Sequence, residues 1–376
     1  MINTEIKVSV IIPVYNAFDY LRPAMDSVID QTLREIEIIC IDDGSTDRSL
    51  DIIKEYQRSD ERIRIITENN AGPATARNKG LLRSRGEYVI FLDADDFYEL
   101  TLLERLYNSA RSDDLDIAVC DFDVYNTKQA SFAKSTDGEL SEAIPSGVVF
   151  SKSTFPDSIL QSTTGYVWNK LFKRSFLIER SITFAPELYV FEDVYFVTTA
   201  LCMADRIRRV EETLVHHRIY SEQSRSKLFK KYFHQIPEVY LKAKSALMQN
   251  GVYIPVSRSF LNLSAGRCYK LFNLLWSDAK AEFWNLLHSG YGESLGWLGH
   301  EGTDFDDPEV RAFVASIAIY TYDQYKKRVE KGNAPRFDSL GVVDLKKKIK
   351  KSKRRRRIAL IFRGVILKPF MKKKNK

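Results

Sequence analysis

The sequence predicts an α/β protein: a mostly parallel sheet flanked by helices, followed by a mainly helical C-terminal region. Three observations carry this expectation. Short β-branched runs recur through the first 122 residues, segments with apolar residues at helical spacing separate them, and after about residue 227 the strand signal gives way to helical, aromatic-rich sequence. Strands separated by helices of roughly 10–15 residues indicate βαβ units, whose right-handed crossovers lay strands side by side in parallel.

Taken in order, "KVSVIIPVY" (7–15) is a near-continuous apolar run, as expected of a parallel strand buried on both faces. "DYLRPAMDSVIDQ" has helical spacing, with Pro23 placed near the helix start, where proline is tolerated. "IEIICI" (36–41) is a second buried strand, and "DDGSTDRSLDIIKEY" a turn feeding a helix that Ser45, Thr46 or Asp47 can cap. "RIRIIT" (62–67), "YVIFL" (88–92) and "DIAVCDF" (116–122) supply three more strands, with "NNAGPATARNKGLLRS" and "LTLLERLYNSARS" as the intervening helices. Residues 123–165 break the rhythm and read as a long surface excursion. "GYVWNKLFKRSFLIER" reads as a turn and helix, "YVFEDVYFVTTALCMADR" as a loop and helix, and "RRVEETLVHHRIY" as a strand or hairpin. The helical region that follows contains Trp276, Trp284 and Trp297.

A chain of 376 residues, 44% hydrophobic, can bury two or three cores at the usual ~150 residues per domain. The predicted boundaries are 1–225, 226–340 and 341–376. Four scattered cysteines form no CxxC pair, which suits reduced thiols in the cytosol. No apolar run approaches the roughly 20 residues that span a bilayer, and "MINTEIKVSV" has no signal-peptide pattern. The net charge is +7, yet 341–376 alone holds 16 Lys and Arg against one acid, so the preceding body is acidic.

In an open parallel sheet, ligands bind beyond the carboxyl ends of the strands. Tyr15-Asn16, Asp42-Asp43-Gly44, Asn69-Asn70 before Gly72, and Asp93-Ala94-Asp95-Asp96 all fall at such ends. Crowded carboxylates repel unless a cation neutralises them, and hard cations such as Mg²⁺ or Mn²⁺ take carboxylate and phosphate oxygens. The rim therefore suits a metal–diphosphate complex. The other reading of these aspartates is turn formation and helix capping; for Asp42 and Asp43 it competes with acceptance of a hydrogen bond from a base edge. No GxxxxGK[ST] and no GxGxxG after the first strand is present, which disfavours a P-loop ATPase and a dinucleotide dehydrogenase.

"VSVIIPVYN", "DDGSTD", "NAGPATARNKG" and "GEYVIFLDADD", in this order, resemble the signatures of family 2 glycosyltransferases of the bacterial surface-polysaccharide type, over about residues 6–225. The resemblance implies a GT-A fold and an inverting, metal-dependent transfer of a sugar from a nucleotide-diphosphate donor, a UDP-sugar being favoured, to a saccharide or lipid-linked acceptor. Asp93-Ala94-Asp95 resembles the DxD element, which makes Asp95 the ligand of Mn²⁺ or Mg²⁺ and Asp93 a contact on the nucleotide side. Pro13, Tyr15 and Asp43 match nucleobase-holding positions, Asn16 a brace of that loop, and Gly72 and Arg77 the segment flanking the nucleotide. "FEDVYF" resembles the Glu-Asp element: Asp193 matches the general base that takes the acceptor proton, with Glu192 supporting it. The same "ED" at a helix start also reads as capping.

Within "GYVWNKLFKRSF", Trp168 is placed to stack on a sugar or to pack in the core, and Lys170 to sit near phosphate. The pair His216-His217 can approach the metal or simply pack. The basic tail, with "IALIFRGVIL" between two cationic clusters, fits docking on an anionic membrane surface, hence a cytoplasmic protein, peripheral on the inner membrane. Solvated disorder and nucleic-acid binding are the other readings of such a tail, and the acidic body disfavours nucleic acid as a partner. A nucleotidyltransferase, which also sets paired aspartates and metal at a sheet edge, is the alternative enzyme.

Overall fold

The structure, a computed structural model, describes residues 5–134, 144, 147–219, 231–298, 300 and 304–331. The basic tail lies outside them, as does most of the segment following the His pair. The chain divides into two compact units, Met1–Phe260 and Leu261–Lys376.

The first unit opens with β1 (Val8–Val14), α1 (Phe18–Ile29), β2 (Ile36–Asp42), α2 (Ser49–Ser59), β3 (Ile63–Thr67), α3 (Pro73–Arg83) and β4 (Tyr88–Phe91). These strands form an all-parallel half-sheet in the order β3-β2-β1-β4. The apolar runs are explained by burial: β2 and β4 are buried along their whole length. Pro23 falls inside α1 rather than at its start. The helix continues because Pro23 and Asp19, whose carbonyl loses its partner, both face solvent.

The chain continues through β5 (Phe97–Tyr98), α4 (Leu102–Ser112), β6 (Ile117–Asn126), β7 (Ser131–Lys134), β8 (Lys170–Lys173), α5 (Arg174–Glu179), α6 (Glu192–Met203), β9 (Ile207–Ile219) and α7 (Gln235–Gln249). Beyond β4 the sheet becomes mixed. Strand β8 inserts antiparallel between β4 and β6, β9 runs parallel to β6, and β5 and β7 pair antiparallel with β9 and β6. "KLFK" is thus a strand where the sequence suggested a turn and helix. Four residues are too few to display a period, and two unpaired strand edges decide the matter by burying Leu171 and Phe172 completely. In place of a hairpin, β9 is one long strand. Helix α7 packs on α6, with Val239 against Ala185 and Leu188 and beside Phe191, Val194 and Tyr195.

Helix α3 sits unusually close to the sheet. A Cβ at Gly80 would stand 2.4 Å from Cγ2 of Ile11 and 3.0 Å from Cδ1 of Ile41. Gly80→Ala is therefore expected to push α3 outward and destabilise the fold by about 1–3 kcal/mol; an unchanged denaturation midpoint would show that the approach is not tight.

Helix α8 (Ser257–Leu274) contains the division between the units, and α9 (Ser277–Leu286), a π-helical turn, α10 (Gly292–Ser294), α11 (Pro308–Ile319) and α12 (Tyr322–Glu330) complete the second. Its core is aromatic: Trp284 stacks on Tyr325 at 4.3 Å and Phe272 meets Phe313 at 5.3 Å. Each buried indole finds an acceptor, Trp284 on the Tyr320 carbonyl (3.1 Å) and Trp297 on Ser264 (3.0 Å). Asp307 caps α11, and Thr321 with Gln324 forms a capping box on α12. Among the described residues, no helix is long and apolar enough to cross a membrane.

Candidate active site

The carboxyl ends of β1, β2 and β4 and the start of α3 meet at one rim. After β1, Asn16 adopts a left-handed backbone (φ 48°). Its Oδ1 accepts N–H bonds from Thr46 (2.8 Å) and Asp47 (3.3 Å), and its own N–H donates to Ser45 Oγ (3.2 Å). The turn after β2 is thereby tied to β1, and Asp47 takes the N–H of Ser49 at the start of α2. Pro13 is half-buried in β1, while Tyr15 stands 51% exposed at its end. Asp43 is buried, and its two oxygens accept the N–H groups of Ala71 (2.7 Å) and Gly72 (2.9 Å). Gly72 precedes α3 at φ 86°, a conformation open to glycine. Asp43 therefore fixes the loop leading into α3.

One turn into α3, Arg77 is buried with its guanidinium over the Phe184 ring. One terminal nitrogen donates to Asp93 Oδ1 (2.7 Å) and the other to Glu192 Oε1 (3.1 Å). Burial works against its charge, but Asp93, Glu192 and Asp193 outweigh it and raise the pKa above the ordinary arginine value. Arg77 thus joins the acidic turn after β4 to the first turn of α6, a link between residues 115 positions apart. Beside it Asn78 clamps Phe184, accepting its N–H and donating to its carbonyl, both at 2.9 Å.

Carboxylate oxygens of Asp93, Asp95 and Asp96 all lie within 4.8 Å of one another. The three are not equivalent. Asp96 is fully buried and takes the Arg218 N–H (2.8 Å) and Nδ1 of His217 (3.1 Å), so its oxygens serve β9. Asp93 gives one oxygen to Arg77. Asp95 is pushed up to about 7 by burial and by the charges of Asp96 and Asp93. A carboxylate crowded in this way gains from a neighbouring cation, so the donor set fits a hard divalent metal, with Asp95 as the ligand least committed elsewhere. The opposite effect acts on His217: burial favours its neutral form, but Asp96, Asp95 and Asp93 prevail and raise it to about 9.

Helix α6 begins after Phe191, whose φ of 64° turns the chain sharply, and no side chain caps it. Glu192 and Asp193 therefore occupy its first turn without being caps. Asp193 is half-buried, and its Oδ1 accepts the Val194 N–H (2.8 Å). Burial, then the charge of Glu192, push it up to about 7, with Arg77 pulling the other way. That value suits a group that accepts a proton near neutrality.

Trp168 and Lys170 are both buried. Trp168 is 2% exposed, stacked on Tyr166 (4.9 Å) and His217 (5.4 Å) and met edge-on by Phe122 (4.7 Å). It backs the His217 ring. Lys170 is fully buried, and its ammonium donates to the carbonyls of Thr164 (3.0 Å) and Tyr166 (2.6 Å) and to Asn169 Oδ1 (2.7 Å). Three donors are thus used on protein oxygens, which leaves none for phosphate. His216 is held between Asp123 (2.7 Å) and Glu99 (3.0 Å), while His217 alone of the pair reaches the acidic turn. Arg218, beside it, escaped sequence reasoning. The signal was present, since three consecutive cationic or polar residues in a strand demand partners when buried.

Comparison with known proteins addresses the family and the fold. The profile of "Glycosyl transferase family 2" matches residues 9–180. "Uncharacterized glycosyltransferase YibD" of Escherichia coli (strain K12) is 35% identical over 228 residues, covering 59% of this chain and 64% of its own length. "Putative glycosyltransferase EpsH" of Bacillus subtilis (strain 168) is 31% identical over 250 residues, covering 65% of this chain and 70% of its own. The match therefore spans about two thirds of the length of each of these two relatives. Among solved structures, S. aureus TarS 1-349 in complex with UDP-GlcNAc superposes with a TM-score of 0.68 at 19% identity, covering 87% of this chain and 92% of that one. The fold is GT-A. On the profile match and the likeness to EpsH, this chain belongs to glycosyltransferase family 2.

Proposed function

We propose that the protein transfers one sugar, with inversion, from a nucleotide-diphosphate donor to a saccharide or lipid-linked acceptor in cell-surface polysaccharide synthesis. The observation that carries the reading is the Arg77 bridge, which ties the carboxylate turn to the helix bearing Asp193. Donor-side and acceptor-side elements far apart in sequence are held as one unit. A UDP-sugar is the favoured donor: TarS, which shares the fold, was crystallised with UDP-GlcNAc, and the rim offers exposed Tyr15 beside buried Asp43 for a base.

In this reading Asp95 holds the divalent cation, Mn²⁺ or Mg²⁺, and Asp93 lies on the nucleotide side. When bound, such an ion neutralises charge that builds on the leaving diphosphate. Asp193 accepts the proton of the attacking hydroxyl, on the face of the anomeric carbon opposite the diphosphate. Glu192 keeps Arg77 at its post. The tail 341–376, outside the described residues, docks the protein on anionic lipid at the cytoplasmic face of the membrane, where a lipid-linked acceptor would lie.

Screening nucleotide sugars for release of the nucleotide diphosphate tests the proposal. One uridine-diphosphate sugar is expected to be turned over, and only with Mn²⁺ or Mg²⁺ present. Equal turnover in chelator, or release of pyrophosphate from a nucleoside triphosphate and a sugar phosphate, would refute it, the second in favour of a nucleotidyltransferase.

A further inference from the structure

Three carboxylates in one short turn oppose one another, so the turn needs outside support to keep its shape. Tyr98 supplies part of it, its hydroxyl donating to the Asp93 carbonyl (2.9 Å). The rest comes from β9, where His217 Nδ1 meets Asp96 (3.1 Å) and Arg218 makes two further contacts. Its Nε donates to the Asp95 carbonyl (2.8 Å), and its backbone N–H to Asp96 Oδ1 (2.8 Å). One residue thus grips the turn at two successive positions, by side chain and main chain.

The guanidinium itself is locked in place. Its centre lies 5.3 Å from the Tyr20 ring, 5.1 Å from Phe97 and 5.4 Å from Tyr125, and the residue is 9% exposed. These rings come from α1, β5 and β6. A planar cation set among aromatic faces gains from each quadrupole and loses little freedom on making its hydrogen bond. Arg218 has no part in the chemistry described above, yet three separate elements converge to fix it.

We propose that Arg218 is a positioning residue: through Nε on the Asp95 carbonyl and its own N–H on Asp96, it holds the acidic turn in the shape that accepts a divalent cation. The inference rests on the reading of Asp95 as metal ligand. Groups that orient ligands typically change metal affinity by about 10–100-fold when removed. Lysine at this position keeps the positive charge near the rings but lacks the planar fork that carries Nε–H.

The test is a titration of the full-length protein with Mn²⁺ alone, followed by loss of the free-ion paramagnetic resonance signal. Arg218→Lys is expected to weaken Mn²⁺ binding by about tenfold or more, and excess Mn²⁺ is expected to restore sugar transfer. Tyr125→Leu removes one wall of the cage and is expected to weaken Mn²⁺ binding in the same direction; it supplies the measurement if the lysine variant does not fold. Asp95→Ala is expected to lose binding, with no rescue at any Mn²⁺ concentration. Wild-type Mn²⁺ affinity in folded Arg218→Lys or Tyr125→Leu, alongside loss in Asp95→Ala, overturns the positioning role. Wild-type affinity in Asp95→Ala overturns the metal reading beneath it.

Discussion

Asp193→Asn is expected to lower kcat by about 10²–10⁴-fold, the usual contribution of a positioned general base, while the protein stays folded. Asparagine keeps the shape and can accept the Val194 N–H, but cannot take a proton. The stability side of this prediction has a definite sign. The Asp193 carboxyl is raised from 3.8 to about 7 in the folded protein, so its ionisation costs stability as pH rises from near 4 to near 7. A neutral asparagine escapes that cost, and the variant's melting temperature at pH 8 is expected to equal or exceed that of the wild type. In the wild type, kcat/KM is expected to fall as pH drops through about 7, where Asp193 takes up its proton, and this limb is expected to vanish from the residual activity of the variant. Near-wild-type sugar transfer by a folded Asp193→Asn protein would remove Asp193 from the role of base.

The second large effect is expected at Asp95. Asp95→Ala removes the ligand least engaged by the rest of the protein, and a loss of about 10²-fold or more in kcat/KM follows if cation-borne charge stabilisation is worth several kcal/mol. Stability again moves in an informative direction. Without metal, the ionised Asp95 repels Asp96 and Asp93, so its removal is expected to raise the melting temperature in chelator. With Mn²⁺ the wild type is expected to gain stability by mass action and the variant to gain nothing. A Mn²⁺-dependent shift of equal size in both proteins would place the ion elsewhere.

Much of the donor side was legible in the sequence. Parallel strands buried on both faces are mostly apolar, so β1, β2 and β4 announce themselves, and their ends point to the rim. The Asp93-Ala94-Asp95-Asp96 cluster stood out because it breaks an apolar run with charge. What the sequence concealed depends on long-range pairing. Nothing local marks "KLFK" as a strand, since two flanking edges make it one. Nothing local shows that Arg77 reaches Glu192. Trp168 illustrates the general difficulty: a tryptophan near a binding site has the same local pattern whether its face meets a sugar or, as here, a histidine ring.

Arg77 carries a consequence for how the two substrates sense each other. One guanidinium is divided between Asp93, on the proposed donor side, and Glu192, beside the proposed base. A ligand that draws Asp93 toward itself leaves more of that charge to Glu192 and Asp193, and a ligand that engages the acceptor helix does the reverse. Such linkage is reciprocal by thermodynamic necessity: whatever factor the donor imposes on acceptor affinity, the acceptor imposes on the donor. In the proposed reaction the buried arginine thus couples the two substrate affinities, whichever substrate arrives first.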